Sequence, residues 1–372
     1  MGSKSFLISK TGRTFWTILT LVCLAIRLPL LLIYYSFKCF RPHPRWTLRQ
    51  CIAYDLLRIW FEYAIAVEFP FPQSLEPGAE KERWAVIPPA EDKFYKTPLL
   101  DAEIRPATVG GTWYPRKYES QSDQREKVIL HFHGGAFLLS DARDMNSASA
   151  AKTMIEATSA MVFFVDYRLC SSPSGRFPAA LQDAITAYRY ILNLGVPPCH
   201  IVISGDSAGA NLAVGLLRYI GENSDLLPNP SAALLWSSWL DLTVRPEDME
   251  THQNFRTDYV PSELFAWALR TYPPQRLPLS HPYLSPSRHP FVTTTPIWVS
   301  VGNLELLRDQ GVEFADDMRK MQGNRVKLCE VSDVAHDTII TAHLSGRQDK
   351  AEEGAVDAAK FLRSVWTSAG DG

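Results

Sequence analysis

Two short runs have the residue types and spacing of a covalent hydrolysis site. The first is Gly205-Asp206-Ser207-Ala208-Gly209. A G-x-S-x-G run arises by chance on the order of 0.1 times in a chain of this length, so alone it is only suggestive. A plain helix N-cap by Ser or Asp is the competing reading. Its surroundings sharpen it: an apolar run over 200–204 comes directly before it, and 208–220 reads as a helix directly after. A strand-to-helix turn is what a nucleophile elbow needs, with glycines where neighbouring chain passes close. The second run is His131-Phe132-His133-Gly134-Gly135-Ala136-Phe137, after the apolar run 128–130. Attack on an ester carbonyl puts negative charge on oxygen, and a backbone N–H already aimed at it is worth about 2.7–4 kcal/mol. Gly134 and Gly135 let two N–H groups approach unobstructed, and the small Ala208 suits a third. The alternatives are an ordinary glycine turn with two surface histidines, or a metal pair, His131 and His133, for which no third ligand is evident.

The elements that must position these residues follow from the apolar pattern. Short β-branched and apolar runs lie at 128–132, 160–165, 201–204, 232–236, 297–301 and 326–331. Helical stretches at 142–158, 178–193, 208–220, 304–322 and 350–366 alternate with them. That alternation predicts an α/β fold with a mostly parallel central sheet. The runs are apolar on both faces, so helices must cover both sides. Residues 243–290 break the alternation, with one helix expected at 263–272, and read as an insertion. With 45–110 they are expected to form a lid, where Trp60, Phe61, Tyr259, Phe265 and Trp267 either line an apolar pocket or pack the lid on the body.

Composition narrows the class. The chain has 372 residues, 46% apolar and 21% charged, which excludes a disordered polymer. Lys+Arg 38 against Asp+Glu 40 leave a net charge of -2, a poor fit to a nucleic-acid partner. Six cysteines without a C-x-x-C pair argue against a disulfide scaffold and against a zinc or redox motif. No G-x-G-x-x-G or Walker pattern occurs, and no metal or organic cofactor is expected.

The start of the chain is different. Residues 15–35 are about one bilayer's worth of apolar helix, interrupted by Arg27 and Pro29. Lys4, Lys10 and Arg13 precede it; Lys38, Arg41, Arg45 and Arg49 follow. A cleaved signal peptide would need a small-residue cleavage site, and none is convincing. A buried core helix and an uncleaved anchor are left. The anchor is preferred, because a central Arg costs only about 2.5–3.5 kcal/mol on insertion scales. The expectation is a single-pass anchor over 1–40, in the endoplasmic reticulum membrane, carrying one catalytic domain over 41–372. The similar positive flanks leave its orientation open.

Taken together, the motifs resemble the hormone-sensitive-lipase family of α/β-hydrolases over roughly 125–345. His133-Gly134-Gly135-Ala136-Phe137 and Gly205–Gly209 are family features. So are Val165-Asp166-Tyr167-Arg168-Leu169, Phe177-Pro178-Ala179-Ala180 with Asp183, Ser238–Leu242 and Leu284-Ser285-Pro286. One departure is Cys170–Gly175, where the family usually has Ala-Pro-Glu. Asp166, Tyr167 and Arg168 read as structural. The resemblance implies an oxyanion hole from the N–H groups of Gly134, Gly135 and Ala208.

Ser207 needs a base and an orienting acid, and this fold orders them Ser…Asp/Glu…His. Of nine histidines only His336 and His343 lie beyond residue 300. His336 follows the run 326–331, whereas His343 falls in what reads as a helix. For the acid, the family pattern Asp-Pro-Leu-x-Asp aligned on Leu307-Arg308-Asp309 puts Glu305 in place, with Asp309 as rival about a turn into the next helix. The implied activity is carboxylester or acetyl-ester hydrolysis of a lipophilic small molecule; with the anchor it resembles fungal deacetylases of sterols and hydrolases of secondary-metabolite pathways. Amide, lactone or thioester cleavage and acyl transfer use the same triad. A non-catalytic receptor of this fold is disfavoured, because His336 is retained.

Overall fold

The computed structural model describes residues 7–119 and 126–368; Lys4, one of the expected flanking charges, lies outside them. Eight strands form one sheet: β1 (Trp84–Ile87), β2 (Val109–Tyr114), β3 (Val128–Phe132), β4 (Met161–Asp166), β5 (Ile201–Asp206), β6 (Ala232–Trp236), β7 (Ile297–Gly302) and β8 (Val326–Val331). Their order is β1-β2-β4-β3-β5-β6-β7-β8. The six strands from β4 to β8 in that order are parallel, and β1 and β2 join antiparallel at the edge. All six apolar runs of the sequence become the parallel strands. Along β3, Val128, Leu130 and Phe132 enter one core, while Ile129 enters the opposite one. The first core is shared with α4 (Ala179–Asn193) and α5 (Ala208–Glu222); the second with α3 (Asp144–Thr158) and α10 (Gln348–Ser368). This is the α/β-hydrolase architecture, helices on both faces of a mostly parallel sheet.

The segment 45–110, expected as lid alone, divides. Its first part is the helix α2 (Leu48–Ala66), and its second part contributes β1 to the sheet. The strand β2 just beyond was hidden by Gly110 and Gly111, which weaken strand propensity. Both are needed: a Cβ on Gly110 would lie 2.0 Å from the Trp84 ring, and one on Gly111 2.3 Å from the Phe163 ring.

The N-terminal apolar run is α1 (Lys10–Ser36), capped by Ser9, whose Oγ accepts the Gly12 N–H at 3.1 Å. It is long and apolar enough to cross a membrane. Large apolar side chains face outward along its length, including Phe15, Ile18, Leu21, Ile26, Leu30 and Ile33. Its other side is tied to α2. Arg13 donates to the carbonyls of Val67 and Glu68, and Thr17 bonds the Tyr63 hydroxyl at 2.8 Å. Helix α2 is in turn fixed to the catalytic body. Trp46 Nε1 and Gln50 Nε2 each donate to the Asp333 carbonyl at 3.0 Å, and Arg49 donates to the carbonyls of His343 and Leu344 in α9 (Thr338–Ser345).

Candidate active site

Ser207 ends β5 and opens α5. Its backbone sits at φ 51°, ψ −118°, a conformation that costs a non-glycine residue about 1–3 kcal/mol. The surroundings enforce it. Ser207 N–H donates to the Trp236 carbonyl at 2.9 Å, and Trp239 N–H donates to the Ser207 carbonyl at 3.1 Å. A Cβ on Gly205 would meet the Gly209 carbonyl oxygen at 2.2 Å, and one on Gly209 the Phe132 oxygen at 2.0 Å. The two glycines of the motif are therefore steric requirements of a turn pressed between its own helix and β3.

The loop after β3 lies over this turn. Gly135 is at φ 97°, and Ala136 and Phe137 follow at 56° and 61°. The Leu138 and Leu139 N–H groups fold back onto the Gly135 carbonyl. A Cβ on Gly134 would be 2.3 Å from Asp206 Oδ2 and 3.0 Å from Ser207 Cβ. Among the described residues no acceptor takes the N–H of Gly134, Gly135 or Ala208. The loop at Gly134 thus lies against the Ser207 side chain, with these three N–H groups unclaimed among the described residues. Behind them, Tyr167 hydroxyl donates to the His133 carbonyl at 2.6 Å, and Arg168 forks onto Asp183, so the family segment that carries them braces the loop.

His131 and His133 are buried, not surface residues. His131 Nε2 meets Asp206 Oδ1 at 2.8 Å, and its Nδ1 meets Ser204 Oγ at 2.9 Å, which also accepts Trp236 Nε1–H. A carboxylate only accepts, so His131 presents an N–H to Asp206 at Nε2. His133 bonds the Gly134 carbonyl through Nδ1 at 2.8 Å. Burial holds its imidazole below the usual histidine range, hence neutral.

His336 and Glu305 come from the loops after β8 and β7. These loops are stitched together: Asn303 N–H donates to the Val331 carbonyl, Leu304 N–H to the Val334 carbonyl, and Asp333 N–H to Asn303 Oδ1 at 2.7 Å. The result sets Glu305 Oε2 3.5 Å from His336 Nδ1, an ion-pair distance too long for a strong hydrogen bond. Asp309 is elsewhere, half-exposed and paired with His252 at 3.2 Å. His343 is on α9 with its ring on the Ile340 carbonyl, away from Glu305. Ser207, His336 and Glu305 are 6%, 4% and 0% exposed, so the site is covered. No hydrogen bond within 3.5 Å joins Ser207 Oγ to the His336 ring; such contacts in hydrolases often tighten only with substrate in place. Burial alone would lower the His336 pKa. The contact with Glu305 and the charges of Asp258, Glu305 and Asp206 outweigh it and hold the imidazole above its ordinary value.

The cover consists of α2 and the 243–290 insertion with α7 (Ser262–Thr271). Tyr54 and Phe61 of α2 stack on Tyr259 at 5.5 and 6.0 Å, and the Tyr259 ring lies 6.1 Å from that of His336. Phe265 packs edge-on against Trp239, and Trp267 is buried. Trp60 faces outward against Tyr63 and Phe69 instead of lining the site.

The insertion also holds the Glu305 segment. Asn254 Nδ2 donates to the Glu305 carbonyl at 3.0 Å, and Asp258 Oδ2 accepts the Leu306 N–H at 2.6 Å. Burial pushes the Asp258 carboxyl up to about 6, against the pull of the His336 charge and the Leu306 N–H. Asn254, Asp258 and Asp337 escaped sequence reasoning. The one signal available was a carboxyl beside apolar residues, at Asp258-Tyr259-Val260 and next to His336.

Comparison with known proteins agrees with this fold. The sequence profile of the alpha/beta hydrolase fold matches residues 129–340. An acetyl-hydrolase from Streptomyces hygroscopicus is 33% identical over 186 residues, 50% of this chain and 60% of that protein, so the match spans less than two thirds of its length. An esterase from Acinetobacter venetianus is 30% identical over 58% of this chain and 68% of its own. The crystal structure of an esterase from the bacterial hormone-sensitive lipase family superposes with a TM-score of 0.62 at 20% identity, covering 86% of this chain and 99% of that one, which supports the shared fold.

Proposed function

The chain belongs to the hormone-sensitive-lipase type of α/β-hydrolases, carboxylesterase-like enzymes, and on that premise we propose that it cleaves carboxylic esters of a lipophilic alcohol by serine catalysis. The observation that carries the reading is the strained Ser207 turn packed against the Gly134 loop, together with the buried pairing of His336 with Glu305. In this reading Ser207 Oγ attacks the ester carbonyl and His336 takes its proton. The carbonyl oxygen becomes an oxyanion held by the N–H groups of Gly134, Gly135 and Ala208. His336 returns the proton to the leaving alcohol, which departs. Water, deprotonated by the same imidazole, then releases the acid and restores Ser207. Glu305 orients the ring and stabilises its charged form.

An acetyl group is the proposed acyl moiety, in keeping with the acetyl-hydrolase relative. The aromatic cover supports a lipophilic alcohol such as a sterol or a secondary metabolite. The lid is α2 plus residues 243–290, which must part to admit it. We further propose that α1 attaches the protein to a membrane, with the endoplasmic reticulum as the expected site. Because α1 is clasped to α2, and α2 roofs the site, the ester would arrive from the lipid side.

The test uses the full-length protein in detergent micelles with 4-nitrophenyl acetate and with acetylated sterols. Wild type turns over and takes a fluorophosphonate label, and Ser207→Ala loses both. A wild-type protein that is inactive on every activated ester and is not labelled would sink the proposal.

A further inference from the structure

The residue just before the nucleophile and the residue just after the base touch each other. Asp206 precedes Ser207 and Asp337 follows His336; their side chains are in hydrogen-bond contact, and both are buried. Two carboxylates in contact cannot both be ionised in a buried site, so the contact contains a proton. Its owner can be assigned. Asp206 already accepts the His131 Nε2–H at 2.8 Å, which stabilises its charged form. Asp337 Oδ1 is buried with no donor bonded to it. The groups facing Asp337 from the packed elements are the carboxylates of Asp206, Glu305 and Asp258, the phenol of Tyr259, and, on its own loop, His336; behind Asp206 stand His131 and His133. Three acidic neighbours, with no Lys or Arg among the described residues acting on it, leave Asp337 the protonated partner. Burial and the Asp206 charge accordingly raise its carboxyl well above the usual carboxylate range, and Asp206, with His131 and Asp337 bonded to it, lies below.

The backbone is committed to this contact. Asp337 sits in the left-handed region at φ 54°, ψ 54°, uncommon for a non-glycine residue. Its N–H donates to Ser237 Oγ at 2.9 Å, and its carbonyl accepts the first turn of α9. Strands β5 and β8, which carry the two loops, are separated by β6 and β7. Neighbouring strands are about 4.8 Å apart, so Ser207 and His336 depend on their loops reaching across. Ser207 and His336 themselves share no hydrogen bond, which makes the carboxyl pair a direct side-chain link between the two loops.

We propose that Asp337 is a positioning residue: its protonated carboxyl donates to Asp206 and clamps the His336 loop onto the Ser207 turn. Removal of that proton places two charges in contact and opens the clamp, giving the turnover rate an alkaline limit. The proposal rests on the hydrolase reading above, so its test has one arm that needs no substrate.

Asp337→Asn keeps a donor toward Asp206 and cannot titrate; Asp337→Ala removes the link. With 4-nitrophenyl acetate, the Asn variant is expected within about threefold of the wild-type kcat near neutrality, and without the alkaline limb. The Ala variant is expected to lose tenfold or more in kcat, with KM within twofold. In the arm without substrate, Tm is compared across pH. A group whose pKa is higher folded than unfolded binds more protons folded, so its contribution falls as pH rises above the unfolded value. The Asn variant is therefore expected to melt above wild type at pH 9, with the gap closing toward pH 5. A wild-type alkaline limb that persists in Asp337→Asn, an Asn variant as slow as the Ala variant, or a Tm gap independent of pH each overturns the clamp. Should Asp337→Ala fail to fold, the Asn variant's two pH profiles still decide. A pH-dependent Tm gap in a protein inactive on every ester would retain the carboxyl pair and reject the hydrolase reading instead.

Discussion

Replacing Glu305 by Gln tests the proposed relay most directly. The Glu305 carboxylate is fully buried and 3.5 Å from His336 Nδ1. At an effective dielectric near 20, unit charges at that separation attract by about 4–5 kcal/mol. The imidazolium that forms as Ser207 attacks would lose this stabilisation, equivalent to about three decades in rate. The Asp258 charge also acts on His336 and remains, so the expected loss in kcat is about 10²–10³-fold. The pH profile should move as well. Glu305 is the leading influence that raises the His336 pKa. Without it the imidazole becomes neutral at lower pH, and the acid limb of kcat/KM shifts downward. Asp309→Asn is the control: that carboxylate is 59% exposed and paired with His252, and kcat should change less than about twofold. Steady-state kinetics on 4-nitrophenyl acetate from pH 5 to 9 read both quantities. Equal losses in the two variants, or a Glu305→Gln enzyme with unchanged kcat and acid limb, would refute the assignment.

Two further outcomes follow from the geometry. Gly134→Ala would place a Cβ 2.3 Å from Asp206 Oδ2, forcing the loop and its N–H groups off the nucleophile, with an expected kcat loss of about 10²–10³-fold; a wild-type rate would remove that loop from the oxyanion site. Deleting residues 1–36 should move the protein from the membrane pellet to the supernatant after carbonate washing, since α1 carries the outward apolar surface; a variant that still pellets would assign membrane attachment to another surface.

The sequence showed the six parallel strands because their residues are apolar on both faces, and showed Ser207 and the His133-Gly134-Gly135 loop because tight turns restrict residue choice locally. It concealed what depends on a distant partner. Strand β2 goes unread until Trp84 and Phe163 are seen to occupy the space above Gly110 and Gly111. Asp258 and Asn254 sit in an insertion with no regular pattern, and their work on the Glu305 loop is done across the fold. The family alignment singled out Glu305 over Asp309, but only the stitching of the β7 and β8 loops explains why one carboxylate faces His336 and the other faces solvent.

The strand order has a consequence for synthesis. The nucleophile turn follows β5, but His336 follows β8, the edge strand and the last to be made. At ribosomal rates of roughly 5–20 residues per second, the emerging chain presents Ser207 for several seconds before any base exists to activate it. On the proposed roles of Ser207 and His336, the polypeptide would stay chemically silent through most of its synthesis and would acquire reactivity only when its final strand closes the sheet.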